Sequence, residues 1–448
     1  MRTTLFSAIS TLAFACLLAT PAAADPVKID FWYGNSGDIS KRVQEVCQHF
    51  NDSQKDAQVV CTSQGSYYAA VQNTIAAFRG GKPPTIVQVF DVGTLDLMLS
   101  DAYYPANKLM ADNGYKVDWN NYFPGIRAYY ASSKGDMFSF PFNSSTALLY
   151  WNKDAFQKIG KTEAPKTWEE AAADMKALKG AGYDCPFAFD ISEDESWQLM
   201  EQFSAVHGEP IATKNNGFGG LDAELTFNKT KFVKFATDLK NWYDQGLAKI
   251  KSPKTGEDYV AAFASGHCQM TLTSVGDHGN IGRTADPNMH WDVAMLPVYE
   301  GTKRHNSFVG GASLWVLKGH SPQEYKAAAA FLNFISQPEQ ALFWSTVTGY
   351  IPVTKTGFEY MKSHGFYDKP PYKGRETAIA ELNVEPVGSG PGGIRLGNFL
   401  QIRGELSNGL QEIFANKKDV QQALDETVQR GNAILRRFEA TYKGKQLP

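Results

Sequence analysis

VKIDFWYGNSGDISKRVQEVCQHFNDSQKDAQVVCTS, residues 27–63, decides the class of fold. Its two ends, Val27–Tyr33 and Ala57–Thr62, are rich in β-branched and aromatic residues and bounded by polar residues and glycine, which reads as strand. Between them Ile39, Val43, Val46 and Phe50 recur at the spacing of one buried helix face. Asp38 stands where it can cap that helix. The same order continues outward: Tyr68–Phe78 reads as helix and PTIVQVF, 84–90, as strand. Strand and helix in alternation imply an α/β fold with a parallel sheet. Gly34, Gly65 and Gly93 follow three of these strands. In open α/β sheets ligands gather beyond the carboxyl ends of strands, so these turns are the first place to seek a site.

The chain has 448 residues, enough for two domains, and with 43% hydrophobic and 20% charged residues it is globular with a substantial core. A formal net charge of −3 provides no basic excess for releasing counterions, so nucleic acid is not an expected partner. At the N-terminus, Arg2, an apolar run from Leu5 to about Thr20 and the small-residue stretch Pro21-Ala22-Ala23-Ala24 predict a signal peptide over 1–24, cleaved before Asp25. The run is short for a membrane span. Ala13-Phe14-Ala15-Cys16 lacks the leucine that a lipoprotein site usually starts with.

Export makes disulfides favourable. Without Cys16 four cysteines remain, Cys47, Cys61, Cys185 and Cys268, and four allow three pairings between which sequence alone does not choose. Cys47 lies on the first helix and Cys61 on the next strand, so the expected pairs are Cys47–Cys61 and Cys185–Cys268, with buried reduced thiols as the alternative. The spacings do not suit zinc, and His267 beside Cys268 does not supply a site.

Farther along, MFSFPFNSSTALLYW (137–151) is strand-like with a polar break at Asn143–Thr146. Thr167 followed by Glu170 is a capping box that opens a helix. The last hundred residues are mostly helical, including Asp419–Tyr442. In GGIRLGNFLQIR (392–403) a glycine turn leads into a helix whose apolar stripe runs through Phe399, Ile402, Leu406, Leu410, Ile413 and Phe414. Arg403 falls roughly 60° from Leu406, inside that stripe, while Gln401, Glu405 and Glu412 fall outside it. A buried guanidinium needs an anion, either a ligand or a carboxylate of the protein itself. Arg395, in the turn, is expected to brace it.

Motifs for catalysis are lacking: there is no G-x-S-x-G, H-E-x-x-H, P-loop or C-x-x-C. Eight histidines are scattered without metal-ligand spacing, and His278 reads as structural. Polar and aromatic residues instead collect in turns after apolar strands: Tyr67 and Tyr68, Asp91, Ser144 and Ser145, Ser274, Gly310 and Gly311, Tyr350, and Trp197 after an acidic stretch. Each alone is an ordinary turn residue. Together they suggest a cleft of hydroxyls, backbone N–H groups and aromatic platforms suited to a small polar solute.

PFNSSTALLYWNKDAF (141–156), PKTWEE (165–170), KNNGF (214–218), GGASLWVL (310–317), TGYIPVTK (348–355), RLGNFLQIR (395–403) and QALDETVQRGNAILRRFE (422–439) stand in an order that resembles the extracytoplasmic solute-binding proteins of ABC importers, those for sn-glycerol 3-phosphate in particular. The resemblance runs over nearly the whole mature chain. It implies a two-lobed periplasmic binding protein fold with a hinge and an interlobe ligand cleft. The lobes are expected at 25–142 plus about 275–325, and at 143–274 plus about 326–448. It implies Tyr67, Ser145, Ser274, Gly311, Tyr350 and Arg403 as ligand-binding residues. Two positions depart from the family pattern. Asp91 stands where a glutamate is expected. Of two pocket tryptophans three residues apart, Trp197 keeps one, and the other falls near Asp194.

The function implied is that of a monomeric periplasmic protein, not an enzyme and without a cofactor. It would deliver glycerol 3-phosphate or a glycerophosphodiester to a membrane ABC permease with its ATPase subunits. Asp194 and Trp197 would suit a cationic head such as that of glycerophosphocholine, unless the acidic run is only a solvated loop. The alternatives are a sugar or oligosaccharide binder, a secreted phosphodiester hydrolase and a structural surface protein.

Overall fold

The computed structural model describes residues 25–370, 372–386 and 392–447. The signal-peptide expectation for 1–24 lies outside them. Eleven strands occur among the described residues: β1 (Val27–Tyr33), β2 (Ala57–Ser63), β3 (Ile86–Phe90), β4 (Tyr103–Tyr104), β5 (Phe140–Ser145), β6 (Ala147–Asn152), β7 (Phe187–Phe189), β8 (Ala248–Ile250), β9 (Met270–Ser274), β10 (Trp291–Ala294) and β11 (Gly310–Leu317). They form two sheets. The first runs β2-β1-β3-β11-β4, with β5 also on β11, and the second β10-β6-β9-β7-β8. β1 pairs in parallel with both β2 and β3, as strand–helix alternation requires, whereas β11 runs antiparallel to β3.

The predicted helices form. Gly37–Ser53 buries Val43, Val46, Cys47 and Phe50, the periodic face. Asp38 does not cap it: it sits in the first turn, where Arg42 and Arg283 take its carboxylate. The Thr167–Glu170 capping box is present at the head of Trp168–Gly180. Asp419 caps Val420–Thr441 by accepting from the Gln422 N–H. Both expected disulfides are formed, Cys47–Cys61 and Cys185–Cys268.

The polar break in the 137–151 stretch is where the chain leaves one sheet for the other: β5 ends at Ser145, Thr146 follows, and β6 begins at Ala147. Sheet membership departs from the expected lobe limits in three places, the first a small one, since residues 143–145 stay with β5 in the first sheet. β10 pairs antiparallel with β6, so residues up to 294 stay with the second sheet, and the return crossing lies between β10 and β11. Helix Pro322–Ile335 packs on the first sheet, because Phe331 meets Phe31 at 5.8 Å and Phe50 at 5.3 Å between ring centroids. Helix Pro338–Val347 goes with it, since Trp344 joins the same apolar cluster. The last crossing follows helix Lys355–Ser363, and helix Glu376–Glu381 then buries Ala378 in the cluster of Leu148 and Tyr150 in the second sheet.

Candidate functional site

Between the sheets lies a cavity of about 510 Å³, a size that holds a small organic ligand. All nine residues singled out as a ligand site line it: Tyr67, Asp91, Ser145, Trp197, Ser274, Gly311, Tyr350, Arg403 and the rim residue Asp194. Most come from strand ends and the segments just beyond them, as the glycines after the first strands indicated, while Arg403 comes from a helix.

The floor is a buried amide network. Gln88, fully buried in the middle of β3, donates through Nε2 to Asn35 Oδ1 (2.8 Å) and Asn143 Oδ1 (2.9 Å) and accepts from the Gly34 N–H (2.9 Å). Asn35 and Asn143 in turn donate to the Tyr67 hydroxyl at 3.0 and 3.1 Å. With both donors aimed at its oxygen, the Tyr67 O–H proton is left to point at an acceptor elsewhere. The Tyr67 ring stacks on Phe90 at 5.2 Å, and Tyr350 stacks on Trp344 at 5.7 Å, so both phenols are held flat. Gly311 has φ +103, and a Cβ there would lie 2.1 Å from the Asn143 carbonyl oxygen, so only glycine lets β11 approach β5 at this point.

Arg403 sits on helix Phe399–Phe414 and is 4% exposed, as its place in the apolar stripe implies. It meets a carboxylate of the protein: Nε donates to Glu201 Oε1 at 2.5 Å and Nη2 to Glu201 Oε2 at 2.7 Å. Asp91 of the first lobe stands 3.8 Å from Nη2, and the guanidinium lies 5.5 Å from the Phe90 ring centroid. Burial works against this charge, but Glu201 and Asp91 outweigh it and hold the guanidinium above its ordinary pKa. Burial pushes Asp91 up to about 7, against the pull of Arg403. Its Oδ1 also accepts from the Val92 N–H at 2.7 Å, which fixes the turn after β3.

The opposite wall is acidic. Glu195 Oε2 accepts from the Tyr259 hydroxyl (2.7 Å) and from Gln198 Nε2 (2.8 Å), and burial raises Glu195 to about 8. Asp277 accepts from Thr273 Oγ1 at 2.6 Å and is raised to about 6, again chiefly by burial. Asp258 and Asp194 complete this side, and Trp197 stands half-buried beside them. Among the described residues Arg403 is the only Lys, Arg or His lining the cavity. No cluster that could hold a metal ion occurs among the described residues.

Arg395 does not reach the cavity. Its Nη2 donates to the carbonyls of Tyr129 (2.8 Å) and Ala131 (3.2 Å) at the end of helix Pro124–Tyr130, which is the bracing role expected of it. His278 is structural: its Nδ1 accepts from Arg375 Nε at 3.0 Å, and burial with Arg375 keeps the ring neutral. Sequence reading missed Glu201 and the Gln88–Asn35 pair. Gln88 had left a signal, a lone amide within IVQVF. Glu201 left none, since it lies in a π-helical turn, Gln198–Gln202, with no simple periodicity.

The family described as bacterial extracellular solute-binding protein matches residues 45–362. The sn-glycerol-3-phosphate-binding periplasmic protein UgpB of Yersinia enterocolitica is 39% identical over 440 residues, covering 97% of this chain and 98% of that protein. The crystal structure of UgpB from Mycobacterium tuberculosis in complex with glycerophosphocholine superposes with a TM-score of 0.76 at 22% identity, over 93% of this chain and all of that one. The sugar-binding protein MalE of Xanthomonas citri superposes with a TM-score of 0.72 at 19% identity, over 94% of this chain and all of that one. The two structural likenesses show the fold: two lobes of the solute-binding type.

Proposed function

The chain belongs to the bacterial extracellular solute-binding proteins, and from that premise we propose that it captures sn-glycerol 3-phosphate or a glycerophosphodiester such as glycerophosphocholine in the periplasm. It then hands the ligand to a membrane ABC permease driven by its ATPase subunits. It works as a monomer and without chemistry: the ligand favours the closed arrangement of the lobes, and the permease reads that form.

The observation that carries this reading is the position of Arg403, a guanidinium in the wall of a cavity whose other polar lining is hydroxyls, amides and acidic side chains. Its fork suits two oxygens of one phosphate. The hydroxyls of Tyr67, Ser145, Ser274 and Tyr350 and the backbone at Gly311 then serve the glycerol and the remaining phosphate oxygens. The 39% identity to the Yersinia enterocolitica UgpB over nearly the full length of both chains supports the same ligand class.

Calorimetric titration of the mature protein with glycerol 3-phosphate, glycerophosphocholine and maltose tests the reading. Saturable binding of either phosphate compound supports it. Binding of maltose alone would sink it and leave only the fold in common with the relatives.

A further inference from the structure

Arg403 has five N–H donors. Two go to Glu201, at 2.5 and 2.7 Å, which leaves three for anything else in the cavity. The charge is committed as well. Glu201 neutralises it at contact distance, and Asp91 adds a second carboxylate 3.8 Å from Nη2. Beyond them the wall carries Asp194, Asp258 and Asp277, with Glu195, which burial raises to about 8 and so leaves mostly protonated near neutral pH. Among the described residues no second cation lines the cavity. The hydroxyls of Tyr67, Ser145, Ser274 and Tyr350 can donate to an oxyanion but cannot balance its charge.

The two ligand classes of the proposed function differ in that respect. A phosphomonoester carries about −1.5 to −2 near neutral pH, with a second ionisation at about 6. A phosphodiester carries one negative charge and has no second ionisation. The three free N–H groups suffice to bond a phosphate of either kind, but each further negative charge is placed beside carboxylates already in position. The cavity, at about 510 Å³, also leaves room for the second alcohol of a diester.

Resting on the reading of the cleft as a glycerol-phosphate site, we infer that Glu201 is a specificity-determining residue: by occupying one edge of Arg403 and cancelling its charge, it sets the cleft for phosphodiester monoanions over phosphomonoester dianions. Glu201 does not touch the ligand. It acts through Arg403, as a positioning residue that also fixes the electrostatic balance.

The test is calorimetry at about pH 7.5 on the wild-type protein and Glu201→Gln, with glycerol 3-phosphate and with glycerophosphoglycerol. The latter is a diester without a cationic head, so no attraction between a cation and the acidic rim enters the comparison. Wild type is expected to bind the diester at least about 10-fold more tightly than the monoester, and Glu201→Gln to shrink that ratio by about 10-fold through a gain for the monoester. A ratio that is the same in both proteins overturns the inference and leaves the ligand class standing. Failure of wild type to bind either compound overturns the inference, and the ligand class with it where glycerophosphocholine does not bind either. Should thermal melting show that Glu201→Gln does not fold, wild type is titrated between about pH 5.5 and 8. The monoester must then gain on the diester as its second ionisation is suppressed, and a flat ratio overturns the inference.

Discussion

Arg403 and Glu201, 202 residues apart in the chain, form a two-point ion pair with Nε–Oε1 at 2.5 Å and Nη2–Oε2 at 2.7 Å, and both are almost completely buried. Removing one partner leaves a buried charge without compensation. Arg403→Ala is therefore expected to cost about 3–5 kcal/mol of stability as well as ligand binding. The double variant Arg403→Met with Glu201→Met removes both charges and fills the space, so it should regain most of that stability while still failing to bind. Urea unfolding of the three proteins checks this. A double variant no more stable than Arg403→Ala would show that the pair is not what the single change breaks.

The raised carboxyls give stability a definite pH dependence. Asp91 at about 7, Asp277 at about 6 and Glu195 at about 8 hold protons that the unfolded chain has already released. Below about pH 4 both states are protonated, and across the window from about 4 to 8 the native state binds more protons than the unfolded one. Stability contributed by these groups is thus lost as pH rises. The melting temperature of the free protein is expected to fall between about pH 5 and 8, and Asp91→Asn to flatten the slope. A melting temperature that climbs over the same range would contradict the burial assigned to them.

Gly311→Ala places a methyl where the Asn143 carbonyl oxygen lies 2.1 Å away, at a backbone with φ +103. The strain and the displaced β5–β11 pairing together are expected to destabilise by about 2–4 kcal/mol. Because Ser144 pairs with Gly311 and Ser145 with Gly310, the same change moves the cavity wall. Chemical denaturation and ligand titration of one sample measure both, and an unperturbed variant would mean that β11 can withdraw from β5 without loss.

The two disulfides close loops of very different length, with sequence separations of 14 for Cys47–Cys61 and 83 for Cys185–Cys268. The chain-entropy argument assigns about 3 kcal/mol to the shorter loop and about 4.5 kcal/mol to the longer. Paired Cys→Ser variants are expected to lose stability in that order when unfolded under non-reducing conditions. The reverse order would indicate that residual structure in the unfolded chain outweighs loop length.

Local pattern made some of this architecture readable and hid the rest. The stripe through Phe399, Ile402, Leu406 and Leu410 placed Arg403 inside, because helical periodicity is a property of neighbours in sequence. Its counter-charge was not readable, because Glu201 reaches Arg403 only through tertiary packing, and any carboxylate of the chain could have done so. Which sheet a helix packs on was hidden for a similar reason. Helix Pro322–Ile335 has an apolar face that either sheet could cover, and what assigns it is the meeting of Phe331 with Phe31 and Phe50. The site residues carried over by resemblance converge on one cavity, while the network beneath them showed only as Gln88, an amide in an apolar strand.

Asp194 and Trp197 bear on the headgroup, and their contributions separate by charge. Asp194 lies at the rim and Trp197 is half-buried beside it, so a cation there meets one carboxylate in solvent and one aromatic face. An exposed charge pair contributes little, and Asp194→Asn is expected to weaken glycerophosphocholine only about 2- to 5-fold. Trp197→Ala should weaken it about 2- to 30-fold, since a desolvated cation–π contact is the stronger interaction. Glycerophosphoglycerol, which has no cation, should be unaffected by Asp194→Asn. Raising the salt concentration should erase the Asp194 effect and spare much of the Trp197 effect, because the rim is screened and the half-buried ring is not. If Asp194→Asn changes both diesters alike, the carboxylate acts on the phosphate or on the loop, and the cleft has no preference for a cationic head.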